Sequence, residues 1–422
     1  MNEQIFDILI VGGGASGMMA ALEARRNGRL LRIGVLERMN RVGKKLMATG
    51  NGRCNLTNLN AVPERYHGDV PFMARAMAAF PPRAVLERFE EYGVYPLVEE
   101  NGKVYPMSEQ ASSVLDALRL SMEEADIAEL CDFEVAMLKN ERGIWRLSST
   151  SGETARARRV IMACGGLTAP NLGGSASGYK LLEALGHTVT PRLPALVQLK
   201  TDIAPIRALK GIKYTGEISL LVGGRVQRSE CGEVLFTEYG LSGPPVLQLS
   251  RIAAQALSRR NAQPVAARLH ILPMSLDETR ALLKKRMKAL SERPLENFLT
   301  GLVNKRLGQT LVKLATDLPL SAPSGEMTDE RIAALAELLT GWEIAVTGTQ
   351  GFDQAQVTAG GVRTSDVDPE TMASRLAPGL YITGEVLNID GDCGGFNLQW
   401  AWASGMLAGQ SAARSLTGEK HA

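Results

Sequence analysis

Three glycines and one acid carry the first chemical signal of this chain. Gly12-x-Gly14-x-x-Gly17 follows the apolar run Ile5 to Val11, and Glu37 stands twenty positions after Gly17. This is the spacing of a strand–turn–helix that holds the ADP part of a dinucleotide. Gly12 permits a tight turn. Gly14 keeps side-chain atoms off a pyrophosphate, and Gly17 lets the helix lie close to the sheet. Ala15 and Ser16 open that helix and offer unpaired N–H groups to phosphate. Glu37, with Arg38 beside it, can accept from a ribose 2′-OH and would repel a 2′-phosphate, so FAD or NAD suits the turn better than NADP.

Two more clusters suit the rest of such a cofactor. Gly43-Lys44-Lys45 and Thr49-Gly50-Asn51-Gly52-Arg53-Cys54-Asn55 bring together cations, backbone N–H groups and amides. Lys44 and the residues Thr49 to Asn55 are therefore candidates for wrapping a pyrophosphate and a ring edge. Thr383-Gly384-Glu385 and Asp390-Gly391-Asp392-Cys393-Gly394-Gly395-Phe396-Asn397 form a strand end and a glycine-rich entry to a helix. That arrangement places Glu385 against ribityl hydroxyls. It also aims a helix N-terminus, through Gly394, Gly395, Phe396 and Asn397, at the pyrimidine edge of a flavin, where reduction builds negative charge. Val160 to Gly166 reads as another buried strand ending in glycines, which adds Ala163 and Gly165. Cys54 and Cys393 are possible redox thiols, but neither has a resolving partner nearby in sequence.

The elements that must hold these residues follow from periodicity. Leu31–Glu37 and residues 379–383 read as strands, and Ala15–Asn27 as a helix stopped by Gly28 in the C′ position. Residues 212–238 alternate and break at Gly223-Gly224, a hairpin signal for a small antiparallel sheet or barrel. Ser275-Leu276-Asp277-Glu278 is a capping box opening a basic helix, with further helices over Leu295–Leu314 and Asp329–Leu339. The expected class is α/β: a Rossmann-like domain, 1–190 with 348–422, carrying an inserted β-barrel-like domain, 191–274 with 342–347, and a helical subdomain, 275–341. A chain of 422 residues is long enough for two or three domains. Lys plus Arg total 47 against 45 Asp plus Glu, a net charge of +2 that argues for no polyanionic partner. Five widely spaced cysteines without C-x-x-C suit a reducing cytoplasm and no metal site. The sequence contains no apolar stretch of membrane-spanning length, so no membrane partner is expected. Nothing in it fixes the oligomeric state.

Five segments resemble the BaiN/YhiN-like flavoproteins, also called the aminoacetone oxidase family, within the glutathione-reductase-like superfamily. They are Gly12 to Gly17; Ala48 to Asn55; Phe236-Thr237-Glu238-Tyr239-Gly240-Leu241-Ser242-Gly243-Pro244; Val357-Thr358-Ala359-Gly360-Gly361-Val362; and Gly394 to Trp402. The resemblance spans nearly the whole chain. It implies tightly bound, non-covalent FAD rather than NAD. The implied contacts are Gly12, Gly14, Gly17, Glu37, Gly50, Arg53, Gly384, Glu385, Gly395 and Asn397, with Val135 on the adenine side. Some members read Ser-Gly-Gly-Gly-Arg-Cys-Asn where this chain has Thr49 to Asn55, so Asn51 marks a different branch. The implied activity is reduction of a carbonyl-conjugated C=C bond, of the keto-steroid or bile-acid enone kind. Hydride would pass from flavin N5, with NAD(P)H visiting as a transient donor because no second G-x-G-x-x-G follows a strand. Arg53, Tyr239 and Tyr179 are the candidates for polarising the carbonyl or supplying a proton. The alternatives are a dihydrouridine-forming enzyme acting on rRNA, which would use the basic helical region, and an amine oxidase-like enzyme using oxygen.

Overall fold

The computed structural model describes residues 5–418; residues 1–4 and 419–422, the ends of the first expected domain, lie outside the described residues. The chain divides into two compact units, Met1–Arg192 with Val357–Ala422, and Leu193–Gln356.

In the first unit, Phe6–Val11 is buried almost throughout, as a central parallel strand must be. It pairs in parallel with Ile33–Leu36 on one side and Thr154–Met162 on the other. Ala128–Leu130 and Leu380–Ile382 extend the parallel array. Val11 lies opposite both Leu36 and Met162, and Met162 lies opposite Ile382. Four strands thus end level, and the loops after them converge at one edge. Ligands of open α/β sheets bind outside such carboxyl ends. Ile144–Ser149 and Val135–Glu141 add an antiparallel meander beside the first half of Thr154–Met162. Val135, the expected adenine-side contact, is the first residue of the second of these strands.

The first helix spans Ala15–Asn27 as its periodicity predicts. Gly28 ends it at φ −153°, where a Cβ would lie 2.3 Å from the Leu31 Cδ1 and push that side chain aside. The last helix, Phe396–Thr417, crosses the first one backbone to backbone. A Cβ on Gly405 would lie 2.4 Å from the Ser16 carbonyl oxygen, and one on Gly409 2.2 Å from that of Ala20. Neither oxygen can retreat without breaking its helix. Gly409→Val is expected to destabilise the protein by about 3 kcal/mol through overpacking, read as a lowered midpoint in urea unfolding.

The second unit contains a closed six-stranded barrel in the order Leu199–Thr201, Gly240–Ser242, Arg225–Phe236, Lys213–Val222, Val265–His270, Trp342–Thr349. Gly223 and Gly224 turn its long hairpin with φ of +57° and +75°, the pair of positive values a type I′ turn demands. The capping box forms as read: Ser275 Oγ accepts from the Glu278 N–H, and Leu276–Ala289 follows. The helix expected over Leu295–Leu314 is shorter. It is a single 3₁₀ turn, Leu295–Asn297, then a helix at Lys305–Ala315. Asn304 sets that start by accepting from the N–H groups of Arg306 and Leu307.

Candidate functional site

The glycine turn does what its spacing requires. Gly12 has φ +108°, and a Cβ there would lie 2.4 Å from the Ala163 carbonyl oxygen. A Cβ on Gly17 would lie 1.9 Å from the Gly12 carbonyl oxygen, whereas one on Gly14 would meet nothing within 4 Å. Gly14 caps the first helix with no side-chain acceptor, so the N–H groups of the first turn face open space. Glu37 is buried, and its carboxylate accepts from the N–H of Gly13 (2.9 Å) and of Met39 (2.8 Å). Each oxygen keeps a lone pair for a further donor.

A groove of about 480 Å³ opens there, lined among others by Gly12, Gly14, Glu37, Lys44, Ala163 and Gly165. A second recess of about 440 Å³ shares Gly12 and Glu37 and adds Arg38 and Val135. The structure thus brings together the residues read for the two ends of the ADP moiety.

Lys45 also lines the groove, and the choice of Lys44 alone overlooked it. Its ammonium donates to Thr168 Oγ1 (2.6 Å) and Glu385 Oε2 (2.7 Å). Glu385 Oε1 accepts from the Thr358 N–H at 2.9 Å. Glu385 is therefore held by its own neighbours, on the strand-end turn where sequence placed it. Gly166 has no room for a side chain, since a Cβ would lie 2.7 Å from Glu385 Oε1. The Thr358 signal lay within Val357–Val362; Thr168 had none.

In the Thr49–Asn55 segment, Gly50 and Asn51 both take left-handed backbone, at φ +57° and +56°. This curls the segment into a turn whose Thr49 hydroxyl donates to the Leu46 carbonyl. Gly52 also has positive φ, +85°, and open space around it. Arg53 points away from a free-cation role. One guanidinium nitrogen donates to both Glu99 (2.8 Å) and Glu109 (2.7 Å), and the group lies 3.9 Å from the centroid of the Tyr105 ring. Cys54 is wholly buried, and burial pushes its thiol up to about 12. A thiolate nucleophile at neutral pH is thereby disfavoured. Burial likewise holds Cys164 up to about 12 against an ordinary 9. The sign follows: above pH 9 the unfolded chain releases these protons first, so folded stability falls as pH rises from 9 towards 12. At pH 8 iodoacetamide is expected to label exposed Cys231 and to leave Cys54 unmodified until the protein unfolds. Rapid labelling of Cys54 in the folded protein, read by peptide mass, would contradict its burial.

The entry to the last helix is a locked loop. Asn397 accepts from the Gly391 N–H and donates to the carbonyls of Gly391 (2.8 Å) and Asp392 (3.2 Å). Its side chain is spent on that loop, so the contribution it leaves for a cofactor is at the backbone. Gly394 accepts from Asn58 and Phe396 from the Tyr66 hydroxyl through their carbonyls. Gly395 caps the helix at φ +98°, with no room for a Cβ beside the Thr57 carbonyl. Gly384 packs on Ser16, where a Cβ would lie 2.6 Å from Oγ. Sequence reading missed buried Asp392, which holds His67 Nε2 at 3.0 Å.

Tyr179 is fully buried on Ser177–Ala184, its hydroxyl has no partner within the protein, and burial drives its pKa well above 10. Tyr239 belongs to the other unit, half-buried in the turn Thr237–Gly240. The residues present fit a dinucleotide. The space in front of Gly14 is clear, the first-turn donors are unpaired, and Asn55 Oδ1, beside Gly395, is buried without a partner. Among the described residues no cluster of His, Cys, Asp and Glu could hold a metal ion, and no helix is long and apolar enough to cross a membrane.

Known proteins bear on this geometry. A family described as the HI0933-like protein Rossmann domain matches residues 6–411. A relative from Clostridium scindens named 3-dehydro-bile acid delta(4,6)-reductase is 39% identical over 410 residues, covering 96% of this chain and 98% of its own. A ribosomal RNA dihydrouridine synthase of Escherichia coli is 32% identical over 411 residues, covering 96% and 97%. A solved quinol-fumarate reductase superposes with a TM-score of 0.50 at 16% identity, over 100% of this chain and 73% of that one, a likeness of fold alone.

Proposed function

From the premise that the chain belongs to the HI0933-like Rossmann-domain family, we propose that it is an FAD-dependent reductase of carbonyl-conjugated C=C bonds that takes its electrons from NAD(P)H. The observation that carries the reading is the clear cradle at Gly14, facing the unpaired first turn of a helix, with Glu37 at the end of the neighbouring strand. FAD bound there supplies two-electron storage between donor and acceptor.

The residues then divide the work. The first helix would hold the pyrophosphate through its backbone N–H groups. Glu37 would accept from the ribose. Lys45 and Glu385, fixed on each other and on Thr168 and Thr358, hold the groove wall in one geometry. The N-terminus of the last helix, at Gly395 and Phe396, would offer positive partial charge to a flavin ring edge. Tyr179 keeps its proton at all physiological pH. Tyr239 is the proposed proton donor to the acceptor, on residue type and partial exposure. The Clostridium relative's name favours an enone acceptor, at 39% identity.

The rRNA reading draws on the Escherichia relative. The basic helix argues against it in part: Lys284 pairs with Asp329 at 2.9 Å, Arg280 with Glu337 at 3.1 Å, and Arg286 donates to the carbonyls of Phe298 and Thr300. Lys284 and Arg280 are thus ion-paired within the chain, and Arg286 is turned onto its backbone.

The donor half is tested by the anaerobic visible spectrum of the holoenzyme before and after NADH or NADPH. Rapid bleaching of the yellow flavin band by either one is expected. A band that resists both and is bleached by a small amine would replace this reading with amine oxidation.

A further inference from the structure

The turn before the last helix gathers more polar groups than its own loop uses. Lys103 lies opposite Asn58 in an antiparallel pair, and Asn58 donates to the Gly394 carbonyl at 2.9 Å. Side chains alternate along a strand, so Lys103 and Tyr105 share one face of Lys103–Pro106. The Lys103 Cε lies 3.6 Å from where a Cβ on Gly394 would be, and the Tyr105 Cε1 lies 3.2 Å from where one on Gly50 would be. One strand face thus meets both of the turns read as cofactor contacts, Thr49–Asn55 and Gly394–Asn397.

The charges around that face are paired, with one exception. Arg53 is claimed by Glu99 and Glu109, and Asp392 by His67 and, at 3.6 Å, by Arg65. Lys103 is half-buried, and among the described residues its ammonium has no ion-pair or hydrogen-bond partner. It is near enough to the Cys393 thiol to oppose the upward push of burial on that group.

A second, independent group faces the same turn. Asn55 is 8% exposed, its Oδ1 has no partner, and that oxygen lies 2.8 Å from where a Cβ on Gly395 would be. A buried acceptor left unmet is costly, so the position calls for a donor from a ligand. Beside it stand donors without acceptors: the Lys103 ammonium and the first-turn N–H groups of Phe396–Thr417, which Gly395 caps without a side chain. A pyrophosphate carries only acceptor oxygens and would leave Asn55 unmet. The pyrimidine edge of a flavin presents N1 and C2=O as acceptors beside an N3–H donor, and so answers both halves. When the nicotinamide donor passes a hydride to the ring, an N5–H bond forms and one negative charge is left over N1 and C2=O. A cation at that edge favours the reduced ring over the oxidised one.

We infer that the Lys103 ammonium pairs with the N1–C2=O edge of the bound flavin, with Asn55 accepting from N3–H, and so raises the cofactor's reduction potential. The inference rests on the FAD reading above and adds to it the residue that sets how readily the ring accepts electrons.

The test is the midpoint potential of the flavin in Lys103→Met holoenzyme, read anaerobically against a reference dye, together with titration of the stripped protein with oxidised FAD. Methionine keeps an apolar stem and drops the charge at a half-buried position, so the unfolding midpoint serves as a control that stays put. The preference for reduced over oxidised flavin is expected to fall about tenfold, a potential lower by about 30 mV for a two-electron couple. Affinity for oxidised FAD is expected to change by less than about twofold. Lys103→Arg should recover most of the loss, and Lys139→Met, on the exposed edge of Val135–Glu141, should leave the potential alone. An unchanged potential in Lys103→Met overturns the inference and leaves FAD binding standing. Equal weakening of oxidised and reduced FAD also overturns it, since Lys103 would then serve the phosphates. So does an equal drop in Lys139→Met, which would be an effect of net charge. Wild-type protein that takes up no FAD overturns the inference and the cofactor reading together.

Discussion

Gly14→Val protein folds as the wild type does and no longer retains FAD. Gly14 has φ −81° and ψ −169°, extended backbone that valine adopts readily, and a Cβ there meets nothing within 4 Å. The protein alone therefore has no reason to reject the side chain, and its unfolding midpoint without cofactor should move by less than about 0.5 kcal/mol. A pyrophosphate brought against the helix N-terminus would meet the new methyl groups. We expect at least a loss of about 100-fold in FAD affinity, near 2.7 kcal/mol, measured by titrating the stripped protein with FAD. A Cβ at Gly17 lies 1.9 Å from the Gly12 carbonyl oxygen, so Gly17→Val should fail to fold with or without cofactor. If Gly14→Val keeps wild-type FAD affinity, the cradle has been misplaced.

Glu385→Leu is expected to damage stability and cofactor affinity together. The carboxylate receives the Lys45 ammonium, the Thr358 N–H and, at 3.5 Å, the Thr168 hydroxyl. Leucine removes all three acceptor contacts and strands a partly buried cation, since the Lys45 side chain is 31% exposed. Hydrogen bonds to charged groups of this kind contribute about 1.5–3 kcal/mol each when lost from one side, and we expect a net loss of about 3 kcal/mol. Lys45→Met in the Glu385→Leu background should restore part of it, because the stranded charge goes too. A double-mutant cycle read by urea unfolding measures that coupling. Strict additivity would show that the pair shares no interaction, and the rigid groove wall would lose its basis.

The glycine turn was legible because its demands are local. Gly17 answers to the Gly12 carbonyl in its own turn and Gly12 to the adjoining strand end at Ala163, while Gly14 meets no protein atom within 4 Å. The capping box at Ser275 and the Gly223-Gly224 turn are local in the same sense. What depended on distant partners was not legible. Lys45 and Lys44 are neighbours of the same type, and only Thr168 and Glu385, 123 and 340 positions away, decide between them. The Asn397 amide looked available in the sequence, yet the loop before it consumes it. Arg53 looked like a cation for the cofactor until Glu99 and Glu109 were seen to claim it. Tyr179 carried no sign that its ring would be sealed in the core. Ala128–Leu130, three residues long, is a strand by virtue of its pairing with Ile33–Leu36 and has too few residues to show a period.

The most direct measurement of the central claim is anaerobic mixing of the reduced holoenzyme with a conjugated enone, its saturated ketone counterpart and a uridine-containing rRNA fragment, following the return of the oxidised flavin band. Rapid reoxidation by the enone, none by the saturated ketone, and formation of the product reduced across the C=C bond are expected. Reduced enzyme that is inert to the enone and reoxidised by the RNA, with dihydrouridine formed, would contradict it and assign the chemistry to the nucleic acid.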